Sequence, residues 1–254
     1  MSALELPSPS ELRRAVREFW KARSQQGRRQ GGETVDRDRG ARSEVTGGTQ
    51  MDGFAQMVSQ LLSKNGTPNG SIYLTRGKTQ LPGWFRPEKQ WDLVVVHGDT
   101  LVAAVEFKSH VGSFGNNFNN RVEEALGNAS DVLAAYREGA FRPSARPWLG
   151  YLMLLEEADK STRPVKRLAE PHYSVFEEFR HTSYLERYQL LLRKLMRERL
   201  YDACCLLTSD RQRGPRGEYR EPDLELAFER FARSLVGHAV AITSPDSHAG
   251  RTTP

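Results

Sequence analysis

The chain has 254 residues, enough for one large domain with a substantial core. Lys and Arg number 37 against 32 Asp and Glu, a formal net charge of +5 with a pI near 9.3, which suits a polyanionic partner. The two cysteines, Cys204 and Cys205, are adjacent and cannot staple distant segments; no apolar run approaches the roughly 20 residues of a membrane span and no apolar leader opens the chain, so a disulfide scaffold and a membrane protein are excluded and a reduced, cytoplasmic protein is expected.

In chain order, Pro7-Ser8-Pro9-Ser10 predicts the start of an amphipathic helix carrying Leu12, Val16, Phe19 and Trp20. Residues 1–24 read as that N-terminal helix, 25–242 as the main domain and 243–254 as a disordered tail. Gly27 to Gly48 is rich in glycine and charge and reads as a loop. A helix from Thr49 to Leu62 presents Met51, Phe54, Ala55, Val58 and Leu62 at helical spacing, and Gly66-Thr67-Pro68-Asn69-Gly70 ends it before a first strand near Ser71 to Leu74. Trp91 to Val96 and Leu101 to Lys108 form a hairpin. An asparagine- and glycine-rich loop, Gly112 to Asn120, leads into a helix from Asn119 to Tyr136. Trp148 to Leu155 and Ala203 to Leu207 are continuous apolar runs suited to buried strands, separated by an amphipathic helix over Ser183 to Arg199. A basic loop, Arg211 to Arg220, precedes a last helix near Leu224 to Val236. Strands interleaved with helices predict an α/β fold, a mixed central sheet flanked by helices.

The chemistry concentrates in the hairpin. Two acids and a lysine enter otherwise apolar strands, where an unpaired charge is strongly disfavoured, so a bound cation, an ion pair or both is implied. The pleat puts Glu106 and Lys108 on one face and Phe107 on the other. A three-residue loop pairs Asp92 with Glu106; a two-residue loop pairs it with Val105, unless a bulge at the first strand's end restores the cluster. Asp92, Glu106 and Lys108 then suit Mg²⁺ held against a phosphate, the carbonyl of Phe107 completing the protein ligands. Taken without any flanking sequence, Glu106 and Lys108 read equally well as a plain cross-strand ion pair, and Asp92 as a cap at a strand entrance.

These residues resemble a family. Asp92 with Glu106-Phe107-Lys108 looks like the signature of the PD-(D/E)XK nucleases. The flanking blocks Thr46-Gly47-Gly48-Thr49-Gln50-Met51-Asp52-Gly53-Phe54, Leu81-Pro82-Gly83-Trp84-Phe85-Arg86-Pro87-Glu88-Lys89-Gln90-Trp91-Asp92 and Gly112-Ser113-Phe114-Gly115-Asn116-Asn117-Phe118-Asn119-Asn120-Arg121 are similar to the XhoI-type restriction endonucleases, over roughly residues 25 to 240. One departure is Trp91, where the superfamily has proline before the first acid. The resemblance implies the restriction-endonuclease-like fold, Mg²⁺-dependent cleavage of double-stranded DNA within CTCGAG, 5′-phosphate ends, a twofold homodimer matching the palindrome, and a cognate DNA methyltransferase encoded nearby. It assigns catalysis to Asp92, Glu106 and Lys108. A repair or junction-resolving nuclease and a non-catalytic DNA-binding module are the competing readings.

For DNA contact the candidates are Asn116, Asn117, Asn119 and Asn120, whose amides match adenine's major-groove edge, and Arg211, Arg213 and Arg216, suited to guanine or phosphate. Glu44 and Asp52 are candidates for an accessory acid supplied from near the first core helix. The histidines lack metal-ligand spacing, and no G-x-S-x-G elbow or Walker loop appears.

Overall fold

The computed structural model describes residues 4–30, 49–165 and 168–243. Glu44, most of the charge-rich loop and residues 244–254 lie outside them. Five strands form a mixed sheet in the order β1-β4-β5-β6-β7, where β1 is Ile72–Tyr73, β4 is Leu93–His97, β5 is Thr100–His110, β6 is Trp148–Glu156 and β7 is Ala203–Ser209. The β1, β4 and β5 pairings are antiparallel, and β5-β6 and β6-β7 are parallel. Every residue of β6 and β7 is buried, as expected for strands covered on both faces.

Helices cover the sheet on both sides. Helix α1 (Pro9–Gln30), α2 (Asp52–Lys64) and, at the far end of the chain, α6 (Phe228–Thr243) pack Phe19, Phe54 and Phe231 against Val95, Phe107, Leu152 and Leu207. On the other face, α3 (Phe114–Arg137) and α5 (Tyr184–Arg197) pack Phe118, Leu133, Tyr188 and Leu192 against Ala104, Tyr151, Met153 and Leu206. The alternation of strand residues between the two cores is the period-2 pattern made physical. A single turn, α4 (Asp159–Thr162), follows β6. Ser183 caps α5 and Glu186 reaches back to its amide, a reciprocal pair that fixes the helix start. Among the described residues no helix is long and apolar enough to cross a membrane.

Two expectations need correction. The asparagine-rich stretch is helical from Phe114, not a loop to Asn120. Phe114 and Phe118, one turn apart, bury against Tyr184 and Tyr188, and this apolar anchoring outweighs the weak helix propensity of the asparagines. A small hairpin, β2 (Gln80–Pro82) with β3 (Glu88–Gln90), also stands where the sequence predicts no strand. Its strands are three residues long and mostly polar, too short for periodicity to register.

Candidate active site

The β4-β5 turn is the two-residue Gly98-Asp99, with Gly98 at φ 58° in the left-handed region that glycine adopts freely. Straight pairing from that turn would set Asp92 opposite Val105. Instead the register steps between Val95 and Val96, leaving Val102 as an extra residue, so that Leu93 faces Val105 and Asp92 falls opposite Glu106. The restoring bulge lies in the second strand, not at the end of the first. Beyond the ladder's last pair, Asp92 Oδ2 accepts the Phe107 N–H at 2.7 Å, which fixes the carboxylate against β5.

Glu106 is 2% exposed and holds two ammonium groups. Lys108 pairs with its Oε1, and Lys89 Nζ lies 2.7 Å from its Oε2. Burial works to raise the Glu106 carboxyl, but the two lysines overcome it and hold the group at about 2. Asp92 goes the other way. Burial first, then the charge of Glu106, pushes its carboxyl up to about 7, against the opposing pull of Lys108 and the Phe107 N–H. Burial works to deprotonate Lys108, yet Glu106 and Asp92 raise its pKa on balance and keep it an ammonium. A buried carboxylate beside a half-buried one that struggles to ionise is an arrangement that an added cation would relieve.

Lys89 is the site residue that sequence reasoning missed. It comes from β3, also donates to the Gln90 carbonyl at 2.8 Å, and lies 4.5 Å from the centre of the Trp91 ring. Its only signal was a lysine two residues before a buried tryptophan, on a strand too short to recognise.

The remaining predicted residues lie on other elements. Asn117, Asn119 and Asn120 are exposed on the first turns of α3, which starts four residues after β5; the side chain of Asn116 lies outside the described set. Arg211 pairs with Glu156, a buried acid at the end of β6 whose Oε2 accepts the Gly112 N–H at 2.8 Å. Arg23 of α1 donates to the Val111 carbonyl beside them. Arg213 bonds Asp210 at 2.7 Å, while Arg216 is exposed with no ion-pair partner among the described residues. Asp52 is exposed at the start of α2, next to Gln50, which Arg23 ties to the end of β5. His110 is buried and bonded to the Tyr188 hydroxyl at 2.6 Å; burial lowers it to about 4, so it is a neutral core group. Among the described residues no three His, Cys, Asp or Glu side chains gather into a metal-binding group. The carboxylates that the hairpin brings together are Asp92 and Glu106.

The restriction endonuclease XhoI family matches residues 29–221. Similar curated proteins are the type II restriction enzyme BstVI of Geobacillus stearothermophilus, 53% identical over 208 residues, covering 80% of this chain and 92% of that protein. The type II restriction enzyme XhoI of Xanthomonas vasicola is 46% identical over 202 residues, 76% of this chain and 78% of its own. The type II restriction enzyme AbrI of Azospirillum brasilense is 45% identical over 173 residues, 67% and 77% respectively. No solved structure matches.

Proposed function

The chain belongs to the XhoI restriction endonuclease family and is a type II site-specific deoxyribonuclease, and from that premise we propose that it is a PD-(D/E)XK enzyme that hydrolyses double-stranded DNA at CTCGAG with Mg²⁺, leaving 5′-phosphates. The observation that carries this reading is the convergence of Asp92 and Glu106 beside Lys108, produced by a bulge that costs the hairpin regular pairing.

Asp92, Glu106 and the Phe107 carbonyl would hold the cation. Bound there, it supplies positive charge against the phosphodiester and lowers the pKa of water. Lys108, kept as an ammonium by Glu106 and Asp92, orients the attacking water and offsets the charge that builds on the phosphorus oxygens; its raised pKa makes it an electrostatic partner and not a proton acceptor. Lys89 on Glu106 Oε2 and Lys108 on Oε1 set two ammonium groups beside the carboxylates, a positive balance that suits a phosphate. The arginines of the Arg211 to Arg216 turn and the exposed asparagines of α3 read the bases or clamp phosphates. A palindrome read by one kind of chain requires a twofold homodimer, acting in the cytoplasm beside a methyltransferase that protects the host's own sites.

The test is a plasmid carrying a single CTCGAG, incubated with protein and Mg²⁺. One linear product whose 5′ ends ligate without added kinase is expected. A smear, cleavage only at branched junctions, or intact plasmid would refute the proposal.

A further inference from the structure

The turn joining β2 to β3, residues 83–87, carries two adjacent exposed aromatic side chains, Trp84 at 55% and Phe85 at 76%. The turn is nevertheless firmly held. Asp131 of α3, its side chain 5% exposed, accepts the N–H of Trp84 at 2.7 Å and of Phe85 at 2.8 Å, and pairs with Arg86 Nε at 2.7 Å. Arg86 also donates to Asn128 Oδ1 at 2.8 Å. A Cβ on Gly83 would stand 2.3 Å from Asp131 Oδ2 and 2.8 Å from the Arg86 carbonyl, so the turn sits on the carboxylate only because that residue is glycine. A buried acid with three donors thus fixes a backbone whose aromatic side chains remain largely exposed. Rigid exposed aromatics recover that ordering only when something covers them.

The turn's place in the hairpin says what covers them. Leu81 pairs with Lys89, and Lys89 reaches Glu106, so the turn ends two residues from a member of the candidate active site. At about 3.3 Å per residue, Trp84 and Phe85 stand within roughly 17 Å of Lys89, a span of about five nucleotides along a strand. Between Thr75 and Gln90 the basic residues are Arg76, Lys78, Arg86 and Lys89, against the single acid Glu88. Arg86 and Lys89 are paired with Asp131 and Glu106, and the segment's positive balance suits a polyanion that extends from the carboxylates to this turn.

Resting on the nuclease reading, we propose that Trp84 and Phe85 form a preformed aromatic wedge that packs against and opens one base step of the bound duplex, within about five nucleotides of the scissile phosphate. Such a wedge reads the site through the ease with which a step unstacks, independently of hydrogen bonds to base edges. It would also explain why the turn is braced from α3, since a loose loop would lose the insertion energy to its own ordering.

The experiment uses the full chain and CTCGAG duplexes carrying 2-aminopurine at successive positions in and beside the site, with Ca²⁺ in place of Mg²⁺ so that bound DNA stays intact. Wild type should raise the fluorescence at one step. Trp84→Ala and Phe85→Ala should each weaken cognate binding roughly 5- to 150-fold, the range of aromatic–base stacking, and abolish that rise, while Trp84→Phe keeps it. Melting temperature and sedimentation mass should not change. Unaltered binding by both alanine variants, or weakened binding with the fluorescence rise intact, would overturn the wedge, as would a fall in sedimentation mass, which would make the aromatics a contact between two copies. Plasmid cleavage separates the premise from the inference. Wild type that fails to cut removes the nuclease reading and the wedge with it, whereas wild type that cuts, with variants that bind normally, removes the wedge alone.

Discussion

Asp92→Asn should make the cation-free protein more stable while destroying its activity. Burial and the neighbouring Glu106 lift the Asp92 carboxyl from 3.8 to about 7. At about 1.4 kcal/mol per pH unit, that displacement sets a ceiling of roughly 4 kcal/mol on the cost of carrying the charge in the folded state. Between about pH 4 and 7 the folded chain keeps the Asp92 proton while the unfolded chain releases it, so stability falls as pH rises through that window and the penalty is complete above it. Asparagine preserves the oxygen that accepts the Phe107 N–H and carries no charge. At pH 8 the variant should therefore melt higher, by up to about 8–16 °C for a chain of this size, and near pH 4 the difference should vanish. Glu106 titrates elsewhere. Held at about 2, it contributes stability present above its unfolded value of 4.5 and lost as pH falls toward 2, in variant and wild type alike. Calorimetric melting from pH 4 to 8 without metal tests this, followed by the same series with saturating Mg²⁺, which should stabilise wild type and leave the variant unmoved. A variant that melts no higher than wild type at pH 8, or equally higher at every pH, would refute the account of Asp92 as a strained cation ligand.

Lys108→Met keeps the apolar stem and deletes the ammonium; single-turnover cleavage on preformed complex should fall by about 10²-fold or more with Mg²⁺ still bound, and near-normal cleavage would reduce Lys108 to an ion-pair partner. Lys89→Met frees Glu106 Oε2, so Mn²⁺ or Mg²⁺ should bind the DNA-free protein more tightly by calorimetry, and an unchanged affinity would show that Lys89 does not compete for the site. Arg216→Ala should cost about 1–3 kcal/mol for cognate DNA alone if the residue reads a base, or weaken cognate and random DNA together if it holds a phosphate. Arg211→Ala should in addition lower the melting temperature, because it uncovers the buried Glu156.

The sheet and its covering helices were legible because their signals are redundant. Trp148 to Leu155 is apolar without interruption, and Ser183 with Glu186 announces a helix start three residues apart. The hairpin register was legible only as a choice, since turn length and bulge position trade one residue against each other and nothing local to Val102 marks it as the extra one. Lys89 and the Asp131 brace were not legible because each contact spans elements far apart in sequence, 17 residues to Glu106 and 45 or more to the turn that Asp131 holds. The same limit governs the Glu106-x-Lys108 pattern, which reads equally as an ion pair and as part of a catalytic centre. The structure contains the ion pair, so that contact cannot discriminate. The second carboxylate bears on the choice. An ion pair between Glu106 and its lysines is complete without Asp92, and a half-buried carboxylate set beside it, accepting the Phe107 N–H and driven toward its protonated form, weakens the fold. A carboxylate pair that lowers stability at one point, aligned by a bulge in the hairpin, supports the proposed cation site, and the pH-dependent melting of Asp92→Asn with and without Mg²⁺ is the measurement that decides it.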